Sequence, residues 1–266
     1  MSRRNSPWSG LHEPCRPLNL ADYHAPANLL EGRTILVTGS SEGIGRAVAL
    51  SFAAHGATVI LHGRNRERLE SAYDEIVAAG GNEPAIVVND LKTATWEDYL
   101  ALQESITAEF GHLDGLLHNA GILGRRSPVV DIPPKEWMEV MQVNVNAAFL
   151  LTKALLPLLQ QSEDASILFT SSGVGRKPRA FWGSYAVSKC ATEGLMQLLA
   201  DELDTVSPIR VNSINPGATN TAMRRAACPG EDPSTNPPPA AILPAYLYLM
   251  GPDSRGITGK AFDAQP

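Results

Sequence analysis

Within GSYAVSKCATEG, residues 183–194, Tyr185 and Lys189 stand four positions apart, and Ser172 closes the stretch FTSS upstream. Residues at i and i+4 share one helix face, so a helix here sets an ammonium beside a phenol. A phenol ionises near pH ~10, which makes it a poor base at neutral pH. A neighbouring positive charge favours the phenolate, and burial opposes that shift. The trio Ser172, Tyr185 and Lys189 therefore suits proton transfer to or from an oxygen on which charge develops. Each residue also has a plainer use: Ser172 could cap a turn, Tyr185 could be core with its hydroxyl paired, and Lys189 could be a surface cation.

Which use applies depends on what positions them. From Arg33 onward, short apolar runs (RTILVT, ATVILH, EPAIVV, HLDGLLH, ASILFTSS, PIRVNSIN and a possible last GKAFDA) alternate with helical segments. Among these are RERLESAYDEIVAAGG, TWEDYLALQESITAEFG and the single long helix PKEWMEVMQVNVNAAFLLTKALLPLLQ, with AILPAYLYLM as the last helix. Strands alternating with helices of this length imply right-handed βαβ units, and near-continuous apolar strands imply a sheet buried on both faces. The expected fold is a single doubly wound α/β domain over 31–266, with a parallel sheet of about seven strands and helices on both faces. Residues 1–30, punctuated by prolines, read as an extension that is loose or packed on the surface.

At the first strand–helix junction lies TGSSEGIG, residues 38–45. Gly39 permits a tight turn, Gly43 lets backbone approach a pyrophosphate, and Gly45 allows close helix–strand packing. A glycine-spaced turn is weak evidence alone, but here it sits between a strand and a helix whose N-terminus favours phosphate. At the end of the second strand an NAD site usually carries a carboxylate. This chain has His62-Gly63-Arg64 there, and a guanidinium pairs with a 2′-phosphate, so NADP(H) is favoured over NAD(H). Arg64 as a solvated loop residue is the competing reading, and Glu42 in the phosphate turn works against an anion.

With 266 residues, 44% apolar and 19% charged, the chain can build a sizeable core, and its net charge of −6 gives no basic surface for nucleic acid or an acidic membrane. The three cysteines, Cys15, Cys190 and Cys228, and the six histidines suggest no disulfide framework and no metal site. The N-terminal arginines precede no apolar h-region, and no run approaches the ~18 apolar residues of a membrane span. A reducing cytoplasm is the expected compartment.

Several motifs in order resemble the short-chain dehydrogenases/reductases over residues 30–266, a family with a Rossmann-type fold. TGSSEGIG resembles the family's TGxxxGxG turn, Asp90-Leu91 its adenine-side Asp-apolar pair, and HNAG (118–121) its NNAG, with His118 in place of the first Asn. Asn144, Ser172, Tyr185 and Lys189 match the four catalytic positions, and Asn215-Pro216-Gly217 with Thr219 and Thr221 the loop at the nicotinamide end. Within the family, LHNAGILG, VMQVNVNA, FTSSGVGR and TGKAFDAQP look most like the YciK-like branch of bacterial oxidoreductases. The resemblance implies hydride transfer between NADP(H) and a small carbonyl or alcohol substrate. Tyr185 would be the general acid/base, Lys189 would also hold the nicotinamide ribose, and Ser172 would bind the substrate oxygen. Asn144 would anchor a water leading from Lys189 to solvent. Gly39, Ser41, Gly43, Ile44, Gly45, Arg64, Asp90, Leu91, Asn119, Ala120, Gly121, Pro216, Gly217, Thr219 and Thr221, with Tyr185 and Lys189, would line the cofactor.

The same resemblance implies a homodimer or homotetramer paired through helices near 135–161 and 184–204, and a substrate lid from Ala222 to Pro239. In the loop after Ser172, Arg176, Lys177 and Arg179 read as an anion-recognition group or, more simply, as a solvated or subunit-contact run. A non-catalytic cofactor-sensing or scaffold protein on the same fold is the alternative, disfavoured because Tyr185 and Lys189 are both present. An enoyl reductase or sugar-nucleotide epimerase is disfavoured by the Tyr–Lys spacing and by the form of the glycine turn.

Overall fold

Seven short apolar runs form the strands: β1 (Thr34–Thr38), β2 (Thr58–Gly63), β3 (Ala85–Val88), β4 (Gly115–His118), β5 (Ser166–Thr170), β6 (Arg210–Asn215) and β7 (Ala261–Asp263). In the computed structural model, which describes residues 20–266, they make one sheet in the order β3-β2-β1-β4-β5-β6-β7. Every neighbouring pair is parallel. This is the Rossmann-type sheet expected from the alternating pattern. The strand order reverses between β1 and β4, the kind of crevice where such sheets bind ligands. The central strands β1, β4 and β5 are buried at every position, while the edge strand β3 is only partly covered.

The crossovers are α1 (Gly43–Ala54), α2 (Arg66–Ala78), α3 (Trp96–Phe110), α4 (Pro134–Met141), α5 (Ala147–Leu159), α6 (Gly173–Arg176), α7 (Gly183–Leu203), α8 (Ala222–Ala227) and α9 (Leu243–Met250). Local chemistry sets several of their ends. Asn65 caps α2 by accepting from Arg68 N, and Thr95 with Asp98 forms a reciprocal capping box on α3. Because strand side chains alternate between faces, Ile35 and Val37 join a core with Phe52 of α1, Ile76 of α2 and Tyr246 of α9. Leu36 points the other way, into a core with Tyr99 of α3, Leu155 of α5 and Met196 of α7.

The long helix expected over 134–160 is continuous but not uniform. A π turn, Gln142–Asn146, lies between α4 and α5. One extra residue per turn leaves composition and apolar pattern almost untouched, which is why periodicity reads straight through it. By length and composition the joined helix Pro134–Leu159 contains an 18-residue window apolar enough to cross a membrane. Half of that window is buried inside the molecule, with α5 packed on α3.

Of the first thirty residues, 1–19 lie outside the described residues. Residues 20–30 lie against α9: Leu20, Leu29 and Leu30 are buried, and Tyr23 donates to Asp253 at 2.7 Å and meets the Tyr248 ring edge-on. The proline-rich 228–239 segment contains a short 3-10 turn, Pro233–Thr235, whose first N–H groups are drawn in by Asp232.

Candidate active site

The glycine turn fills the step from β1 to α1. A methyl on Gly45 would sit 2.2 Å from the Gly39 carbonyl oxygen, and one on Gly39 would sit 2.9 Å from Ala120 Cα. Gly39 and Gly43 both take the left-handed conformation, with φ of 69° and 59°. This turn therefore packs on the β4 exit, residues 119–121, as tightly as backbone allows. Thr38 Oγ1 at the end of β1 accepts from the N–H groups of Asn119 and Ala120, at 2.9 and 3.0 Å. The Asn119 side chain returns a bond to the Thr38 carbonyl at 3.2 Å, so Asn119 ties the two strand ends together.

The end of β2 is fastened to the same turn. The N–H groups of Gly39 and Ser40 both donate to the His62 carbonyl, at 2.8 and 3.1 Å. The bare face of Gly63 lies beside Ser41, so Arg64 leaves the sheet next to the glycine turn and is exposed to solvent. Glu42, whose charge argues against an anion there, is paired with Arg68. On the other side Asp90 folds back to accept from Lys92 N at 3.0 Å, and the Leu91 carbonyl is held by Gln142 at 3.4 Å. Ile44 opens α1 and packs on the β1–α1 core. A Cβ on Gly121 would stand 3.7 Å from Lys189 Nζ, so the open face of this glycine borders the lysine.

The π turn buries Asn144 and aims its amide at the β4 exit. Asn144 Oδ1 accepts from Ile122 N at 2.8 Å, and Nδ2 donates to the Ile122 carbonyl at 3.0 Å and to Ser188 Oγ at 2.9 Å. Ser188 in turn donates to the Tyr185 carbonyl at 2.8 Å. Asn144 therefore binds backbone and α7 directly, and it also lines, with Lys189, Thr170 and His118, a cavity with room for about one water.

Tyr185 and Lys189 lie on one face of α7, with Lys189 Nζ 5.7 Å from the phenol ring centre. Lys189 is 5% exposed and makes a single hydrogen bond among the described residues, to the Thr170 carbonyl at 2.7 Å. Burial lowers its pKa to about 8, against the opposing pull of Glu193. Tyr185 is buried too, and burial pushes its hydroxyl above the ordinary phenol value, while a hydrogen bond with Ser172 draws it back down. Sequence spacing supplies the ammonium; the depth of the site decides the sign. The hydroxyls of Ser171 and Ser184 are buried without a partner among the described residues.

The loop after β6 completes the rim. Gly217 turns at φ 70°, Thr219 donates to the Pro216 carbonyl at 3.1 Å, and Thr221 caps α8 by accepting from Arg224 N at 3.2 Å. Gln265, near the chain's end, donates to the Pro216 and Ala218 carbonyls at 2.7 and 3.2 Å and so braces this loop. Arg176, read from sequence as part of an anion-recognition group or of a solvated or subunit-contact run, donates from one nitrogen to both carboxylate oxygens of Asp263, at 2.8 and 2.9 Å. Neither Gln265 nor the Arg176–Asp263 clasp has a local sequence signal. Nor does Arg126, whose guanidinium stacks 4.5 Å from the Trp182 ring centre, with Trp182 itself 5.9 Å from Tyr185.

The parts fit a dinucleotide. Gly39 and Gly45 let the turn close on the β4 exit, Gly43 turns at φ 59°, and a buried ammonium with one hydrogen bond among the described residues has two N–H groups to spare.

Comparison with known proteins agrees. Residues 33–232 match the family model described as short chain dehydrogenase. The chain is 53% identical over 244 residues to the oxidoreductase YciK of Escherichia coli K12, covering 92% of this chain and 96% of that one. It is similar in structure to a short chain dehydrogenase from Pseudomonas syringae, with TM-score 0.91 and 58% identity over 92% of this chain and 99% of that one. A short chain dehydrogenase from Shigella flexneri, solved in complex with NADP, superposes with TM-score 0.88 at 53% identity, covering 91% and 100% of the two chains.

Proposed function

This chain belongs to the short-chain dehydrogenase/reductase family of oxidoreductases, and on that premise we propose that it transfers hydride between NADP(H) and a carbonyl or alcohol substrate. The observation that carries the proposal is the shared face of Tyr185 and Lys189, buried at the C-terminal end of β5 beside the glycine cradle.

Bound NADP(H) would supply or accept the hydride. Gly39, Ser41, Gly43, Ile44 and Gly45 would hold its pyrophosphate at the start of α1, with Asp90 and Leu91 on the adenine side. Asn119, Ala120 and Gly121 would form the wall beside the nicotinamide ribose, and Pro216, Gly217, Thr219 and Thr221 the rim opposite. Arg64 would pair with the 2′-phosphate, a reading supported by its place beside Ser41 and by the neutralisation of Glu42 by Arg68.

In reduction, Tyr185 donates its proton to the substrate oxygen as charge builds there, and Ser172 donates a hydrogen bond to the same atom. A phenol held above its ordinary pKa by burial stays protonated at neutral pH, ready to act as the acid. Lys189 holds the ribose hydroxyls with its free N–H groups, and its charge stabilises the phenolate left behind. Replacement of the proton runs past Asn144 through the one-water cavity. The subunit is expected to pair through α4, α5 and α7, where Met138, Phe149, Val187 and Leu198 are exposed. A cytoplasmic location is expected as well, with Cys190 and Cys228 as free thiols.

NADPH oxidation followed at 340 nm over a panel of ketones, aldehydes and quinones tests the proposal. Tyr185→Phe is expected to bind NADPH as the parent does and to lose turnover by a factor of 10² or more. Retained turnover overturns the role of Tyr185. Tight NADPH binding with no turnover on any carbonyl favours a cofactor sensor. Arg64→Ala is expected to weaken NADPH and spare NADH in a binding titration; equal losses for both overturn the 2′-phosphate assignment.

A further inference from the structure

Three segments that follow strand ends carry cations: Arg125 and Arg126 after β4, Arg176, Lys177 and Arg179 after β5, and Arg224 and Arg225 on α8 after β6. In a chain of net charge −6 this clustering is a local reversal of sign. Most of these cations have a partner. Arg125 pairs with Glu136 at 3.0 Å, Arg176 with Asp263 at 2.8 Å, Arg224 with Glu231 at 2.7 Å, and Arg225 donates to Asn220 at 2.8 Å. Arg126, Lys177 and Arg179 make no ion pair among the described residues.

Of those three, only Arg126 is fixed in place by its surroundings. Its guanidinium lies over the Trp182 ring at 4.5 Å. One nitrogen, NH1, donates to the Ala227 carbonyl at the end of α8 and comes within 3.8 Å of Cys228 Sγ. Nε and NH2 have no acceptor among the described residues. Stacking on an aromatic face orients a guanidinium while leaving its edges open, and that edge matches a carboxylate in two parallel bonds. Beneath it Trp182, Leu123 and Val174 pack around Tyr185 as an apolar wall. An apolar lining leading from the acid–base residue to one oriented, unpaired cation describes the shape of a ligand: a carbonyl, an apolar spacer, then an anion.

Building on the hydride-transfer reading above, we infer that Arg126 is the residue that sets substrate specificity, binding the carboxylate of an oxo acid whose apolar segment lies along Trp182 and whose carbonyl reaches Tyr185. The neighbouring Lys177 and Arg179 add to the positive field that draws such an anion in. Arg126 also joins the β4 exit to the end of α8, so a bound carboxylate would sit at the seam between them.

The test compares 4-carboxybenzaldehyde with methyl 4-formylbenzoate as NADPH-dependent substrates, in the parent and in Arg126→Gln and Arg126→Lys. Glutamine keeps an N–H for the Ala227 carbonyl while removing the charge, which separates anion recognition from a purely structural latch. The parent is expected to favour the acid over the ester in kcat/KM by tenfold or more. Arg126→Gln is expected to reduce that ratio to about one, mainly through KM, with Arg126→Lys between the two. Calorimetric titration of benzoate against benzamide into the NADP-loaded protein provides a readout independent of turnover, with benzoate binding expected to weaken tenfold or more in Arg126→Gln. If the ester is reduced as well as the acid, or the ratio survives in Arg126→Gln, the inference falls and the hydride-transfer reading stands. If benzoate binds through Arg126 but neither aldehyde is reduced, the anion site stands and the hydride-transfer reading fails for this class. No difference between benzoate and benzamide in the parent overturns the inference directly.

Discussion

The two ends of the same parallel sheet bury charge in opposite ways. At the N-terminal edge Asp164 receives three arginines: Arg33 at 3.1 Å, Arg210 at 3.2 Å and Arg255 at 3.1 Å. Arg210, 3% exposed, also donates to the carbonyls of Leu249 and Gly251 at 3.1 Å each. Nearby, Asp114 accepts from Thr34 N at 2.8 Å and from Ser162 Oγ at 2.6 Å. At the C-terminal edge Lys189 is just as deep but has, among the described residues, one hydrogen bond. Buried polar groups in folded proteins are almost always satisfied, so a buried ammonium with one hydrogen bond marks the end suited to binding a ligand. The ion-paired end is scaffold, although Arg33 Nε within it has no hydrogen-bond partner among the described residues. Burial alone does not separate the two ends; the partner list does.

The sharpest way to break this contrast is to remove the scaffold's anion. Asp164→Asn keeps the shape and leaves Arg33 and Arg210 facing each other without a counter-charge. Removing one partner from a buried pair costs about 3–5 kcal/mol, so stability by chemical denaturation is expected to fall by about 4 kcal/mol. NADPH affinity of the folded fraction is expected to change little, because the ion cluster lies at the far end of the strands. A loss of affinity matching the loss of stability would mean that the two edges are not independent.

Gly45→Ala acts on the other edge and is expected to show the reverse balance. Its methyl would lie 2.2 Å from the Gly39 carbonyl oxygen and 2.4 Å from Asn119 Nδ2, so backbone must move. Overpacking of this kind costs about 1–3 kcal/mol. The larger readout is binding: a displaced turn no longer presents its N–H groups to a pyrophosphate, and NADPH affinity is expected to drop by tenfold or more in a fluorescence titration. Unchanged affinity would show that the cradle is not where phosphate binds.

What could be read in the sequence follows the range of the interactions. The strands of the parallel sheet and the glycine turn were legible because their signals are local: apolar runs of a few residues, and three glycines at fixed spacing between a strand and a helix. Tyr185 and Lys189 were legible for the same reason, since i,i+4 spacing on a helix is itself geometry. The π turn at Asn144 was not, because widening one turn leaves the apolar pattern in place. The direction of the Tyr185 shift was not either: it is raised by burial, against a hydrogen bond with Ser172, and that burial comes with the packing of Val174, Leu123 and Trp182. Arg176 clasping Asp263, Gln265 bracing the Pro216 loop and Arg126 lying over Trp182 are contacts between distant segments. Nothing in a local window announces such contacts.

The subtlest test of the contrast is whether Lys189, which lacks the ion pairs of Arg210, is held at a cost in stability. The folded protein holds Lys189 with a pKa of about 8, against an ordinary value of 10.5. Below about pH 8 both folded and unfolded chains carry the proton, and the folded protein bears the full penalty of a buried ammonium. Between about 8 and 10.5 the unfolded chain keeps a proton that the folded one has released, so this group makes stability rise with pH across that window. At 1.36 kcal/mol per pKa unit, the penalty below pH 8 is about 3 kcal/mol. Lys189→Met relieves it and leaves the Thr170 carbonyl without its partner, which costs about 1–2 kcal/mol in return. The ligand-free variant at pH 7 is therefore expected to be more stable by about 1–2 kcal/mol, with the advantage disappearing as pH approaches 10, while turnover is lost. The ordering should invert on adding NADPH, because only the parent has N–H groups for the ribose. A variant less stable than the parent at pH 7 would place Lys189 with Arg210 as a structural ion, and the division of the sheet into a scaffold end and a working end would have to be abandoned.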